Sequence, residues 1–274
     1  MSLYWSQWMP QFWNQETLTH LKAQWNANVV RCPMGVRVED GGYLAYPERE
    51  YDKMKSVIEA AINLGIYVIV DWHEEKAYLR AQQAIQFFKN ISKTYGSCPH
   101  IIYEIWNEPT GVNWTTITTY AQQVIPAIRE NDPHNIIVVG TPNWSQDVDI
   151  AANSPLNYTN VAYTLHYYAG IHKQALRNKA TIAISKELPI FITEYGTTNV
   201  QANGTVDVEE SQLWWQFNDK NKLSYCNWAI DVVQENTAAL ISGTTAAQVG
   251  DSSRWTVSGK LVNRKLQSTD QGLH

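Results

Sequence analysis

Ile101–Pro109 reads Ile-Ile-Tyr-Glu-Ile-Trp-Asn-Glu-Pro. Ile101, Ile102, Tyr103, Ile105 and Trp106 form a short β-branched and aromatic run, which predicts a buried strand rather than a helix. Pro109 has no amide N–H and ends any ladder or helix. Asn107 and Glu108 are thereby placed at the carboxyl end of a strand, where α/β sheets and barrels bind ligands. Glu104 interrupts the apolar run and is expected to face a barrel interior.

A second stretch, Leu188–Thr197 (LPIFITEYGT), answers the first. Pro189 opens an apolar strand, Glu194 ends it, and Gly196 supplies the turn. Each glutamate alone would pass as a solvated loop residue. Together, at two strand ends, they are what a glycosidic bond needs: one carboxyl protonates the leaving oxygen, the other attacks the sugar or activates water.

The rest of the composition bounds the function. A chain of 274 residues is long enough to bury a sizeable core, and barrels of about 250 residues form one domain. A net charge of −5 and a pI near 5.8 argue against nucleic acid and anionic membranes as partners. The 12 Trp and 15 Tyr suit either core packing or stacking platforms for sugar rings. Cys32, Cys98 and Cys226 show no metal spacing, and allow one disulfide or three thiols. No run of 18 apolar residues suggests a membrane span. No leader peptide is read, which fits a mature, trimmed or cytosolic chain. Asn90, Asn113, Asn143, Asn157 and Asn203 stand in glycosylation sequons, a low-specificity match.

Taken in order, helical spacing predicts helices over Gln15–Gln24, Glu50–Leu64, Tyr78–Tyr95, Thr115–Asn131 (broken or kinked near Pro126), Gln174–Lys186 and Asp207–Asp219. Strands alternate with them at Asn28–Pro33, Ile66–Val70, Ile101–Pro109, Ile136–Val139, Val161–Leu165, Ile190–Thr193 and Ser224–Ile230. Their ends carry Arg31, His73, Asn107/Glu108, Gly140, His166, Glu194 and Trp228. These recur every roughly 26–42 residues, the length of one strand–helix unit. With Ser2–Trp5 as an eighth strand, the pattern predicts a (β/α)8 barrel, residues 1–274 forming a single domain. The tail Thr237–Gly259 reads as a long loop over the site.

The strand ends suggest roles. Arg31 beside a carboxylate would keep it ionised, and we pair it with Glu194. Asn107, beside the acid, suits a hydrogen bond to a sugar 2-hydroxyl. His73 and His166 either orient substrate and tune the carboxyls or are satisfied core histidines. Trp228 suits the floor under a sugar ring, or equally a core position.

At this point the chain resembles the retaining (β/α)8 glycosidases, and among them the glycoside hydrolase family 5 endo-β-1,4-glucanases. The matching pieces are Ser2–Trp8 (SLYWSQW), Asn28–Met34 (NVVRCPM), Gly41–Tyr43 (GGY), Leu64–His73 (LGIYVIVDWH), Ile101–Pro109, Ile136–Asp147 (IIVVGTPNWSQD), Leu165–Gly170 (LHYYAG), Pro189–Thr197 and Cys226–Ile230 (CNWAI). The resemblance implies Glu108 as acid/base and Glu194 as nucleophile. It further implies Arg31, His73, Asn107, His166, Tyr168 and Trp228 as their supporting set. Trp8, Tyr43 and Trp144 are implied as cleft-lining residues, and Glu235 as a surviving polar group in the otherwise apolar stretch after Trp228. It implies no metal or cofactor, a β-1,4-glucan partner, a monomer, and an extracellular location. Substrates such as β-mannan, xylan or mixed-linkage glucan fit the same catalytic pair.

If configuration is retained, the two carboxyls should lie about 5–5.5 Å apart, with Glu108 raised in pKa and Glu194 lowered by Arg31. Two readings from other classes stand beside this one. One is a metal-dependent barrel hydrolase using Asp71, His73, His166 and Glu194, which lacks an HxH or HExxH motif. The other is a non-catalytic glycan-binding barrel, which would have no need of both glutamates. A last expectation concerns the first strand. It is clipped to three to five residues, and Met1–Tyr4 should still insert between the strands of Val29–Arg31 and Ser224–Trp228.

Overall fold

The computed structural model describes residues 1–198 and 204–269; the Asn203 sequon lies outside them. Seven parallel strands follow one another in sequence order: β1 Val29–Gly35, β2 Tyr67–His73, β3 Ile101–Glu104, β4 Ile137–Val139, β5 Val161–Tyr168, β6 Ile190–Gly196 and β7 Ser224–Asn227. Helices α1 Gln15–Trp25, α2 Pro47–Leu64, α3 Ala81–Tyr95 and α4 Trp114–Arg129 alternate with the first strands. Short turns α5 Pro142–Ser145 and α6 Val148–Ala151 precede β5, then come α7 Gln174–Ser185, α8 Val208–Lys220 and α9 Val257–Gln267.

Met1–Tyr4 closes the barrel between β1 and β7. Leu3 N–H donates to Arg31 C=O (2.9 Å) and Arg31 N–H to Met1 C=O (2.9 Å) on one side. Ser2 N–H donates to Asn227 C=O and Ile230 N–H to Ser2 C=O (both 2.8 Å) on the other. Three residues, Met1 and Leu3 bonded to β1 and Ser2 to the β7 side, thus remove the free edges that an open sheet would leave.

Inside the barrel the side chains form two layers, because alternate residues of each strand point inward. The lower layer is apolar: Ile69, Ile102, Val138, Ala162, Phe191 and Cys226, with Val29 against them. Above it lie buried Arg31, Asp71, Glu104, Thr164 and Thr193. Outward residues pack on the helices, as Trp72 does on Phe87 and Phe88, Trp106 on Tyr120, and Tyr167 on Trp214. Most tryptophans are therefore core residues. Trp8 and Trp144 are the exceptions, each 47% exposed. All three cysteines are free thiols.

Three expectations change. Helix α4 runs unbroken through Pro126. Pro126 and Gln122, whose carbonyl loses its i+4 donor, are both exposed, so water can satisfy that group. β3 leaves the sheet at Glu104 rather than running to Pro109. The tail is not a loop over the site. Its Val249 C=O accepts from the indoles of Trp25 and Trp255, and α9 follows, capped by Thr256. Apolar Val249, Leu261, Val262 and Leu266 dock this segment with α1 in the core that surrounds the barrel.

Candidate active site

The site is built from the strands and the turns just beyond their carboxyl ends; β1 runs on to Gly35, so Arg31 lies within the strand rather than at its expected end. Arg31 on β1 is fully buried, a costly place for a charge unless it is surrounded by acceptors. Its Nε donates to Glu104 Oε2 (2.7 Å) and Nη2 to Glu104 Oε1 (3.3 Å). Nη2 also lies 3.0 Å from Asp71 Oδ2 and donates to Asn107 Oδ1. Nη1 donates to Glu194 Oε2 at 2.8 Å, the expected pairing.

Glu194 accepts a second hydrogen bond on Oε1, from Tyr168 Oη at 2.6 Å. Burial alone would raise its pKa. The charges of His166 and Arg31 and the Tyr168 hydrogen bond outweigh that and hold it below the ordinary carboxylate value. Glu108 is different. Burial and the facing Glu194 charge raise it, against the pull of His166, whose Nδ1 lies 2.8 Å from Glu108 Oε1. Ligand-capable atoms of Glu108, His166 and Glu194 all lie within 4.8 Å of one another. One carboxylate oxygen of each glutamate is thus within 4.8 Å of the other; retaining glycosidases place their two carboxyls about 5–5.5 Å apart.

The two histidines hold opposite charge states. Burial and Arg31 push His73 down to about 3, so its ring is neutral, with Nδ1 2.6 Å from Asp71 Oδ2. Burial also works against a charge on His166, yet Glu194, Glu104 and Glu108 lift that ring to about 9. Glu104, although buried, is held down to about 2, chiefly by Arg31. Burial pushes Asp71 up, with Glu104 and Glu194 adding to this against Arg31, since three carboxylates share one guanidinium.

A cavity of about 400 Å³ opens above the pair, lined by Glu108, Trp144, Gln146, His166, Tyr168, Ile171, His172 and Glu194. On the opposite flank Trp228 stacks parallel to His73 (5.6 Å, 9°) and meets Tyr4 (5.1 Å). Exposed Trp8 leans on Trp5 (4.8 Å) beside them. Trp228 is itself buried. Glu235 is half-buried and raised by that burial, and its charge acts on Tyr4. Tyr43 is placed otherwise: its ring packs edge-on against Trp72 and Phe87, outside β2.

The structure does not assemble the ligand set Asp71, His73, His166 and Glu194. Asp71 and His73 are engaged with Arg31 and with each other. The triad of possible ligands among the described residues, Glu108, His166 and Glu194, includes a protonated imidazole and borders Arg31, which opposes a cation.

Sequence reasoning missed Gln146, Ile171, His172 and Thr193. The first three sit on loops, where periodicity carries no signal. Thr193 stands two residues after Phe191, which lies in the lower barrel layer, so alternation turns Thr193 inward as well. Glu194 reaches the same side because the ladder shifts register on both sides of β6, at Thr164/His166 and at Ile192/Tyr195.

Known proteins resemble this chain in sequence and in fold. The chain is 42% identical over 271 residues to an endoglucanase of Clostridium saccharobutylicum, covering 97% of this chain and 60% of that one. A solved structure from Cytophaga hutchinsonii is similar at a TM-score of 0.95 and 44% identity, over 97% of this chain and 87% of that one. The catalytic domain of Thermobifida fusca endoglucanase Cel5A, solved with cellotetraose, matches at a TM-score of 0.92 and 32% identity, over 98% and 90%. The chain spans about 60% of the length of the curated relatives it matches. Residues 1–233 match the family model for cellulase (glycosyl hydrolase family 5), and the chain belongs to that family.

Proposed function

We propose that the chain is a single catalytic domain that cleaves β-1,4-glucan internally and retains anomeric configuration. The observation that carries this reading is the pair Glu108 and Glu194, close together but unlike in surroundings. Glu108 faces His166 and the open cavity, while Glu194 is held by Arg31 and Tyr168. An acid that keeps its proton and a carboxylate that stays ionised are the two partners a double displacement requires. Relatives bearing the name endoglucanase and the neighbour solved with cellotetraose support the substrate class.

In this reading Glu108 protonates the glycosidic oxygen while Glu194 attacks the anomeric carbon. Glu108 then takes a proton from water, which releases the sugar from Glu194. Tyr168 and Arg31 aim the nucleophile and hold its charge. Asn107 has its oxygen committed to Arg31 and one amide N–H directed at His73 Nε2 (3.5 Å), which leaves its second N–H for the sugar 2-hydroxyl. His73 and Trp228, stacked on each other, with Trp8, form one wall of the cleft; Trp144 forms the other. The reaction as read needs no metal or cofactor. A polymeric substrate suits a secreted enzyme; among the described residues no helix is long and apolar enough to cross a membrane.

Reducing ends and viscosity should be followed on carboxymethyl cellulose, mannan and xylan side by side. We expect a fast viscosity drop on carboxymethyl cellulose with few reducing ends. Preference for mannan or xylan would overturn the substrate, and cellulose binding without any reducing ends would overturn catalysis.

A further inference from the structure

Thr193 has no part in the steps above, yet its buried hydroxyl touches three side chains. It donates to Glu104 Oε1 at 2.7 Å, lies 2.9 Å from His166 Nε2, and meets the hydroxyl of Thr164. A hydroxyl has one proton to give. Glu104 carries Arg31 on both of its oxygens, so it is ionised and can only accept. The Thr193 proton is therefore committed to Glu104, and the Thr193 oxygen accepts. His166 Nε2 must then carry a proton. Only the other ring nitrogen, Nδ1, is left to exchange one, and it faces Glu108 Oε1 at 2.8 Å.

We propose that Thr193 and Glu104 are positioning residues that lock His166 as the Nε2–H form, so that its Nδ1 and Glu108 share a single proton. The proposal rests on the acid/base reading of Glu108. Two states follow, alike in net charge. In one, an imidazolium donates Nδ1–H to the Glu108 carboxylate, which is ready to act as base. In the other, the proton sits on Glu108, whose O–H donates to Nδ1 and is ready for the leaving oxygen. One proton moves between two atoms, with no rotation of the ring. The charged groups around the ring are Glu104 and Glu108 from β3 and the turn after it, and Glu194 from β6. Arg31 and Asp71 lie behind Glu104, His73 faces Glu108, and His172 stands on the loop after β5.

The test is nitrogen-15 NMR of the imidazoles in the whole protein, without substrate. In the wild type, Nε2 of His166 should stay protonated from about pH 5 to 8. Thr193→Val should lower the His166 midpoint by about one pH unit or more and admit the Nδ1–H tautomer. Thr193→Ser should behave as the wild type. Should Thr193→Val not fold, Thr193→Ala removes the same hydroxyl without adding bulk and is read the same way. Activity gives a second readout. Thr193→Val should lose more rate on cellotetraose than on an aryl cellobioside, whose leaving group needs little protonation; equal losses would mark a structural role only. An unchanged midpoint and tautomer in the hydroxyl-free variants overturns the proposal. A wild type that cleaves no β-1,4-glucan overturns the functional reading instead, and the NMR titration still decides the relay.

Discussion

Single protonation states separate the two glutamates. Glu194→Gln removes the nucleophile, so turnover should vanish on every substrate. Glu108→Gln should cost about 10²–10⁴-fold on cellotetraose but far less on an aryl cellobioside with a good leaving group. Steady-state rates on both substrates check this, and equal losses for both variants would exchange or void the roles. Asp231 permits a prediction of stability. It is fully buried; Oδ1 accepts from Val233 N–H, and Oδ2 has no partner. Burial raises its pKa to about 8. A carboxyl raised in the folded state is protonated there while the unfolded chain already ionises. Stability is therefore lost as pH climbs from the unfolded value near 4 to about 8, and is level beyond. Asp231→Asn should gain on the wild type across that window and differ least below it. Melting curves at acid and alkaline pH check the sign.

Among the elements, α9 shows how a segment with weak local signals becomes part of the fold. Its Thr256 caps the first turn by accepting from Gly259 N–H, and Leu261, Val262 and Leu266 face the core. Gly259 lies so close to the preceding segment that an added Cβ would meet Ala239 C=O at 2.1 Å. Gly259→Ala should therefore push the helix away and destabilise by about 1–3 kcal/mol, an overpacking cost. A melting temperature equal to the wild type would mean that the tail does not dock as described. The short element at the chain start works the opposite way, with few residues and strict pairing. Leu3 N–H donates to the carbonyl of Arg31, the residue that holds Glu194.

For the whole molecule, closure and chemistry are therefore linked. Leu3→Pro removes that donor and leaves a buried Arg31 carbonyl unpaired, at about 1–3 kcal/mol. Because the same backbone aims the Arg31 side chain, activity should fall even at temperatures where the protein stays folded. Thermal melting with activity assays well below the midpoint checks both parts. Lower stability with full activity would show that closure and site are independent.

What the sequence determined by itself is what depends on near neighbours. Apolar runs of period 2 and period 3.6, ended by Pro109 or Gly65, place most strands and helices to within a few residues. The same strand ends put Arg31, His73, Asn107, Glu108, His166 and Glu194 on one face, since in a parallel barrel all carboxyl ends point one way. Partners are another matter. Arg31 meets Glu104 across 73 positions and Glu194 across 163, and only a closed barrel brings them together. Closure also made Arg31 the shared partner of Glu104, Asp71, Asn107 and Glu194. Glu194 turned inward beside Thr193 because register shifts overrode strand alternation, and Tyr43 turned to the helix layer because Trp72 and Phe87 offer a packed surface there. The charge on each histidine came from burial weighed against carboxylates on other strands, a balance that no local pattern records.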